Sequence, residues 1–166
     1  IIKKIYFPRL IIPVSSILVS LFDFLMALIV FVIVLFFYQQ SVSWILIIYW
    51  PLAVFFSMIA TLGLGCWLAA LNVKYRDFRY VIPFLIQVLF FLAPVIYPIS
   101  LLKYPVLQYA LVTSPMYLAI ELFRAPLTGI MPDTLFMTIS FLSNIFFLLI
   151  GVSYFKKTED FFADLA

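Results

Sequence analysis

The chain has 166 residues, of which 67% are hydrophobic and 10% charged, with a mean hydropathy of +1.27 and a net charge of +3. An ordinary soluble domain is about 25% charged, so a water-soluble globule is excluded and the main solvent is lipid. With no histidine, one cysteine and four glycines, the chain lacks a His base, a Cys/His metal set, a disulfide framework and a glycine-rich phosphate cradle.

Residues 1–13 form a basic, aromatic segment broken by Pro8 and Pro13 that carries Lys3, Lys4, Tyr6, Phe7 and Arg9. Such a segment suits an interfacial anchor at headgroup depth or a knob gripped by a cytoplasmic partner. A signal peptide fits poorly, because the apolar run that follows is too long and no small-x-small cleavage site ends it. The chain opens at Ile1 rather than Met, and reads as part of a longer polypeptide. The first predicted span is 14–37. Asp23 is the only charge deep in a span, about 15 Å into the helix, so it faces protein or water rather than lipid. It is either a channel or coupling residue or a structural hydrogen-bond partner, and its isolation favours the second.

The second predicted span, 44–71, contains Pro51 as a kink or first-turn residue. Ser57, Thr61, Gly65 and Ala69 recur in it every fourth position, predicting a small-residue face on which another helix packs closely. Tyr38, Trp44, Tyr49 and Trp50 suggest an aromatic belt at one interface, and Cys66 reads as inert packing. A polar break at 72–80 holds Lys74, Arg76 and Arg79 with one acid, Asp77. The third predicted span is 81–98, with a break near Ala93-Pro94. Residues 99–132 are apolar but interrupted at Thr113-Ser114-Pro115, where Ser114 suits an N-cap and Pro115 the first helical position. Two short helices fit this region better than one long one. A last span, 134–155, precedes a polar tail, 156–166.

Charge counting decides the topology. If 99–132 turns back, eight of the ten Lys and Arg lie on one face (Lys3, Lys4, Arg9, Lys74, Arg76, Arg79, Lys156 and Lys157) and only Lys103 and Arg124 on the other. A complete crossing gives seven against three. The positive-inside rule prefers the first, as does Glu121, since a lipid-facing carboxylate at mid-depth is costly. The expected fold class is therefore all-α and polytopic: four transmembrane helices with an outer re-entrant or gate hairpin, both ends of the chain facing the cytoplasm.

In this order, residues 3–13 (KKIYFPRLIIP), 62–65 (LGLG), 72–83 (NVKYRDFRYVIP), 92–98 (LAPVIYP) and 154–164 (YFKKTEDFFAD) resemble ABC-2 type exporter permeases, specifically the subfamily exporting O-antigen, teichoic acid and capsular polysaccharide. Each stretch alone is weak, but the ordered set covers nearly the whole chain. The resemblance implies a six-span subunit of which this chain holds the last four, with two gate helices between the last two. It also implies a homodimer with a central channel in the bacterial cytoplasmic membrane, and a separate nucleotide-binding ATPase that carries ATP and Mg; no cofactor is expected in this chain. An N-terminal amphipathic helix and two first spans are absent, and Ser114 stands where the family often has Asn, an equally good N-cap.

On this resemblance Lys3, Lys4, Tyr6, Phe7 and Arg9 sit at or beside the coupling helix that engages the ATPase. Lys74, Arg76 and Arg79 are candidates for the phosphate of a lipid-linked glycan, which a guanidinium fork suits, although inner-face cations also set topology and bind anionic lipid. Tyr97, Tyr104, Tyr109 and Tyr117 are candidates for an outer gate. The expected function is permease in ATP-driven export of a lipid-linked polysaccharide, with no enzymatic chemistry of its own. The rivals are a drug or small-lipid exporter of the same superfamily and an embedded glycosyl- or phospho-transferase. The transferase needs clustered carboxylates or histidine that the sequence does not offer. A secondary transporter would show an internal repeat and intramembrane ion ligands, and the sequence has neither. Nothing in the sequence points to nucleic acid.

Overall fold

The computed structural model describes residues 11–39, 43–75 and 77–164, with backbone alone at Ser100 and at 159–164. Every regular element among them is helical. In hydrocarbon a segment must satisfy its own backbone groups, and an isolated apolar segment can do so only as a helix. Among the described residues, three helices are long and apolar enough to cross a membrane: α1 (Ile11–Phe37), α2 (Leu46–Lys74) and α6 (Thr134–Asp164). At 1.5 Å per residue they measure roughly 40, 43 and 46 Å, each more than a hydrocarbon core of about 30 Å. The chain is a multi-pass membrane protein.

The fourth helix of the expected set is shorter than the run 81–98 suggests. α3 spans Phe78–Leu92, about 22 Å, and stops because Ala93 is extended (φ −75°, ψ 126°), the conformation a following proline demands. Past a 3₁₀ turn at Ile99–Leu101 come α4 (Pro105–Val112) and α5 (Tyr117–Thr128), whose axes bend by 102° at the intervening break. Ser114 is not a side-chain N-cap here: α5 starts at Tyr117, and its entry carries no cap from its own sequence. At the other end Gly129 takes a left-handed conformation (φ 69°) and donates to Ala125 O at 3.0 Å, the αL termination for which glycine is suited. Asp133 Oδ1 then accepts from Leu135 N at 3.0 Å, capping α6. The tail expected from residue 156 continues this helix to Asp164.

α2 is the central element, packed on α6 along its length, on α5 near its start and more loosely on α1. Its buried positions are Trp50, Ala53, Ala60, Gly63, Cys66 and Ala70. The closest approach to α6 is at Gly63, where an added Cβ would lie 2.8 Å from Leu148 N, and at Gly151, where it would lie 2.8 Å from the carbonyl carbon of Gly63. This crossing differs from the predicted stripe. A Cβ on Gly65 would meet nothing within 4 Å; Thr61, Gly65 and Ala69 instead line a groove of about 530 Å³ shared with Ser16 and Ser20 of α1, while Ser57 lies beside a separate apolar pocket. α1 buries only Ile17 against the rest of the chain.

Candidate functional site

The break between α4 and α5 leaves carbonyls and first-turn N–H groups without intrahelical partners, and α6 supplies them from three successive polar positions on one face. The fully buried Ser140 hydroxyl donates to Ser114 O at 3.2 Å and accepts from Leu118 N at 3.1 Å. It therefore acts as the N-cap that α5 lacks in its own sequence. Ser143 Oγ donates to Thr113 O, and Asn144 Nδ2 donates to Pro115 O at 2.9 Å. Asn144 Oδ1 is buried and has no partner among the described residues. The hairpin is thus pinned to the last long helix at its turning point, over a core of Ile99, Leu111, Val112 and Tyr117.

The far half of α5 is held by Arg124. Its Nη2 donates to Pro94 O at 2.9 Å and to Val95 O at 3.0 Å, and its Nη1 to Glu121 Oε1 at 3.1 Å. The guanidinium fork therefore ties three places together: the turn after α3, α5, and a carboxylate one turn earlier on α5. Pro94 is fully buried beneath it. Burial pushes the Glu121 carboxyl up, and the Arg124 guanidinium opposes this. Burial also raises the Tyr117 phenol, helped by the negative charges of Glu121 and Asp133 and opposed by Arg124. On the α2 side, Trp50 stacks on Phe123 (centroids 4.8 Å, planes 9° apart) and donates its indole N–H to Phe123 O at 3.3 Å. Phe31 and Phe24 of α1 pack against the same ring, so α5 is gripped by α1, α2 and α6 together.

The expected gate tyrosines divide. Tyr117 is 2% exposed and belongs to the hairpin core. Tyr97 packs on that core and donates to Phe91 O at 3.0 Å. Tyr104 and Tyr109 are exposed, Tyr109 lying edge-on to Phe136. Lys74 ends α2 with its Nζ 5.5 Å from the Tyr75 ring, Arg79 lies in the first turn of α3, and both are exposed. Arg76 and the segment with Lys3, Lys4, Tyr6, Phe7 and Arg9 lie outside the described residues. Asp23 is exposed on α1. Trp50 is buried in the stack rather than set in an aromatic belt. Sequence reasoning missed Ser140, Ser143, Asn144 and the Arg124 clamp; the only signal for the first three was a run of hydrogen-bonding side chains at spacing three and four in an otherwise apolar helix.

The sequence profile of the ABC-2 type transporter family matches residues 3–128. The O-antigen export system permease protein RfbA of Myxococcus xanthus is 30% identical over 102 residues, covering 61% of this chain and 39% of that protein. Two proteins of the same name from Klebsiella pneumoniae are 27% and 26% identical over 99% of this chain and 63% of theirs. The chain spans less than two thirds of the length of these curated relatives. By the extent of the profile match, the chain belongs to the ABC-2 type transporter family.

Proposed function

We propose that this chain is the membrane-spanning part of a permease for ATP-driven export of a lipid-linked polysaccharide across the bacterial cytoplasmic membrane. The observation that carries this reading is the likeness along 99% of the chain to permeases named for O-antigen export. The pinned hairpin adds support, because a polar-anchored turn between the short α3 and the long α6 is what a gate on one membrane face requires.

In this reading the nucleotide-binding subunit is a separate chain, and two permease copies enclose the path. Nucleotide-driven closure of the ATPase pair pushes the basic segment around Lys3 to Arg9, shifts the spans and opens the outer hairpin. Net transport needs nucleotide states that bind the two permease conformations with different affinity. Both chain ends face the cytoplasm, and Lys74, Arg76 and Arg79 meet the phosphate-bearing end of the substrate there.

Deleting the full-length permease in its host and scoring surface glycan tests the reading. Loss of surface glycan with accumulation of lipid-linked glycan inside is expected, and unchanged surface glycan would overturn it. Lys3→Glu with Lys4→Glu is expected to weaken co-purification of the ATPase subunit.

A further inference from the structure

A cavity of about 660 Å³ lies between the turn after α3, the two hairpin helices and the start of α6, within the roughly 300–1,000 Å³ range of small-molecule sites. Its polar lining is Gln108, Tyr117, Glu121, Arg124, Thr128 and Asp133, and its apolar walls include Pro98 and Phe136. Two acids against one guanidinium leave no net positive charge for a phosphate. The Arg124 fork is already engaged by two carbonyls and Glu121 Oε1, while Glu121 Oε2 makes no hydrogen bond among the described residues. Gln108 gives its Nε2 to Leu102 O at 2.6 Å, which turns its amide oxygen to use as an acceptor. Such a set offers carboxylate and amide acceptors to hydroxyl donors, beside a proline and an aromatic ring that suit the C–H face of a sugar.

We propose that this cavity is a subsite for neutral, hydroxyl-rich glycan units at the exit side of the permease, with Glu121 and Asp133 as the hydroxyl acceptors. The proposal rests on the export reading above and deepens it by placing where the moving chain is held.

The test uses the full-length permease with its ATPase partner in its own host. Ile130→Cys, an exposed position on the cavity rim, is labelled from outside by a membrane-impermeant maleimide. Rates are compared in cells making the lipid-linked glycan and in cells lacking its first glycosyltransferase. The unmodified protein serves as background, with Cys66 buried, and Thr128→Cys is the second reporter if Ile130→Cys does not accumulate. Glycan in transit at about four times its Kd slows labelling about fivefold, and Glu121→Gln with Asp133→Asn, which exchanges charge-assisted acceptors for weaker amide oxygens, lowers that protection to about twofold or less; Asn at 133 still caps α6. Equal rates with and without glycan, while surface glycan is exported normally, overturn the subsite and leave the export function standing. Absence of labelling in both cell types overturns the exit-side placement. Surface glycan that persists without the permease removes the export reading itself, and the subsite with it.

Discussion

Gly63 of α2 and Gly151 of α6 meet backbone against backbone, and neither has room for a methyl group: an added Cβ at either would come within 2.9 Å of the other helix's main chain. Between helices in lipid, packing replaces water exclusion as the source of association, so close approach at small residues carries much of the contact. Backbone atoms cannot rotate away as a side-chain end can. Gly63→Ala or Gly151→Ala is expected to destabilise the full-length protein by about 1–3 kcal/mol, the range for overpacking, read as a lowered Tm in detergent. Gly65→Ala, with open space around it, is expected to stay within about 0.5 kcal/mol of the parent.

Ser140 serves two backbone groups at once, the Ser114 carbonyl and the Leu118 N–H. Ser140→Ala leaves the Leu118 N–H buried and unpaired, at about 1–3 kcal/mol before relaxation, while the Ser114 carbonyl keeps the Tyr117 N–H at 3.1 Å. Asn144→Leu removes one hydrogen bond but also removes an oxygen that has no partner, so its cost is smaller. The expected order of stability is parent, then Asn144→Leu, then Ser140→Ala. Limited proteolysis within 113–116 is the direct readout, with the same order in cleavage resistance.

Arg124 and Glu121 are both largely buried, with side-chain exposures of 22% and 15%. Removing one member of such a pair leaves an uncompensated charge, whereas replacing both by apolar groups is often tolerated. Arg124→Met is therefore expected to destabilise the hairpin, and Arg124→Met with Glu121→Leu to recover most of that stability without recovering export. Hydrogen exchange at 95–97 separates the two effects. Exchange there speeds up in both variants, because neither can hold the Pro94 and Val95 carbonyls.

Asp23 is exposed within this chain, yet it sits in a membrane-crossing helix, so its polar contacts come from outside the described residues. A structural hydrogen-bond role predicts that Asp23→Asn exports at the parent rate and Asp23→Leu does not. An Asn variant that exports poorly while folding normally assigns a charged role instead.

Much of the fold was legible because hydropathy dominates it: the long runs beginning near 14, 44 and 134 became α1, α2 and α6, and proline marked the C-terminal end of α3 and the break before α5. The packing face of α2 was not. A strict four-residue stripe winds about 40° around a 3.6-residue helix at each step, so Ser57 and Ala69 end on different faces. The observed contact steps by three, three and four, through Ala60, Gly63, Cys66 and Ala70, and stays on one side. The polar face of α6 was equally hidden, because serine and asparagine in an apolar helix look the same whether they hold a neighbouring turn or face their own backbone. Arg124 was visible only as a charge on the far side of the membrane. Its partners at Pro94 and Val95 are about thirty residues away in sequence and meet it only through the hairpin's return.

That return is the claim on which the proposed direction of export and the proposed grip on an ATPase both depend. An epitope appended after Ala166 of the full-length permease, probed with antibody in intact and in permeabilised cells, measures it directly. The hairpin predicts staining only after permeabilisation; staining of intact cells would mean that residues 99–132 cross the bilayer completely.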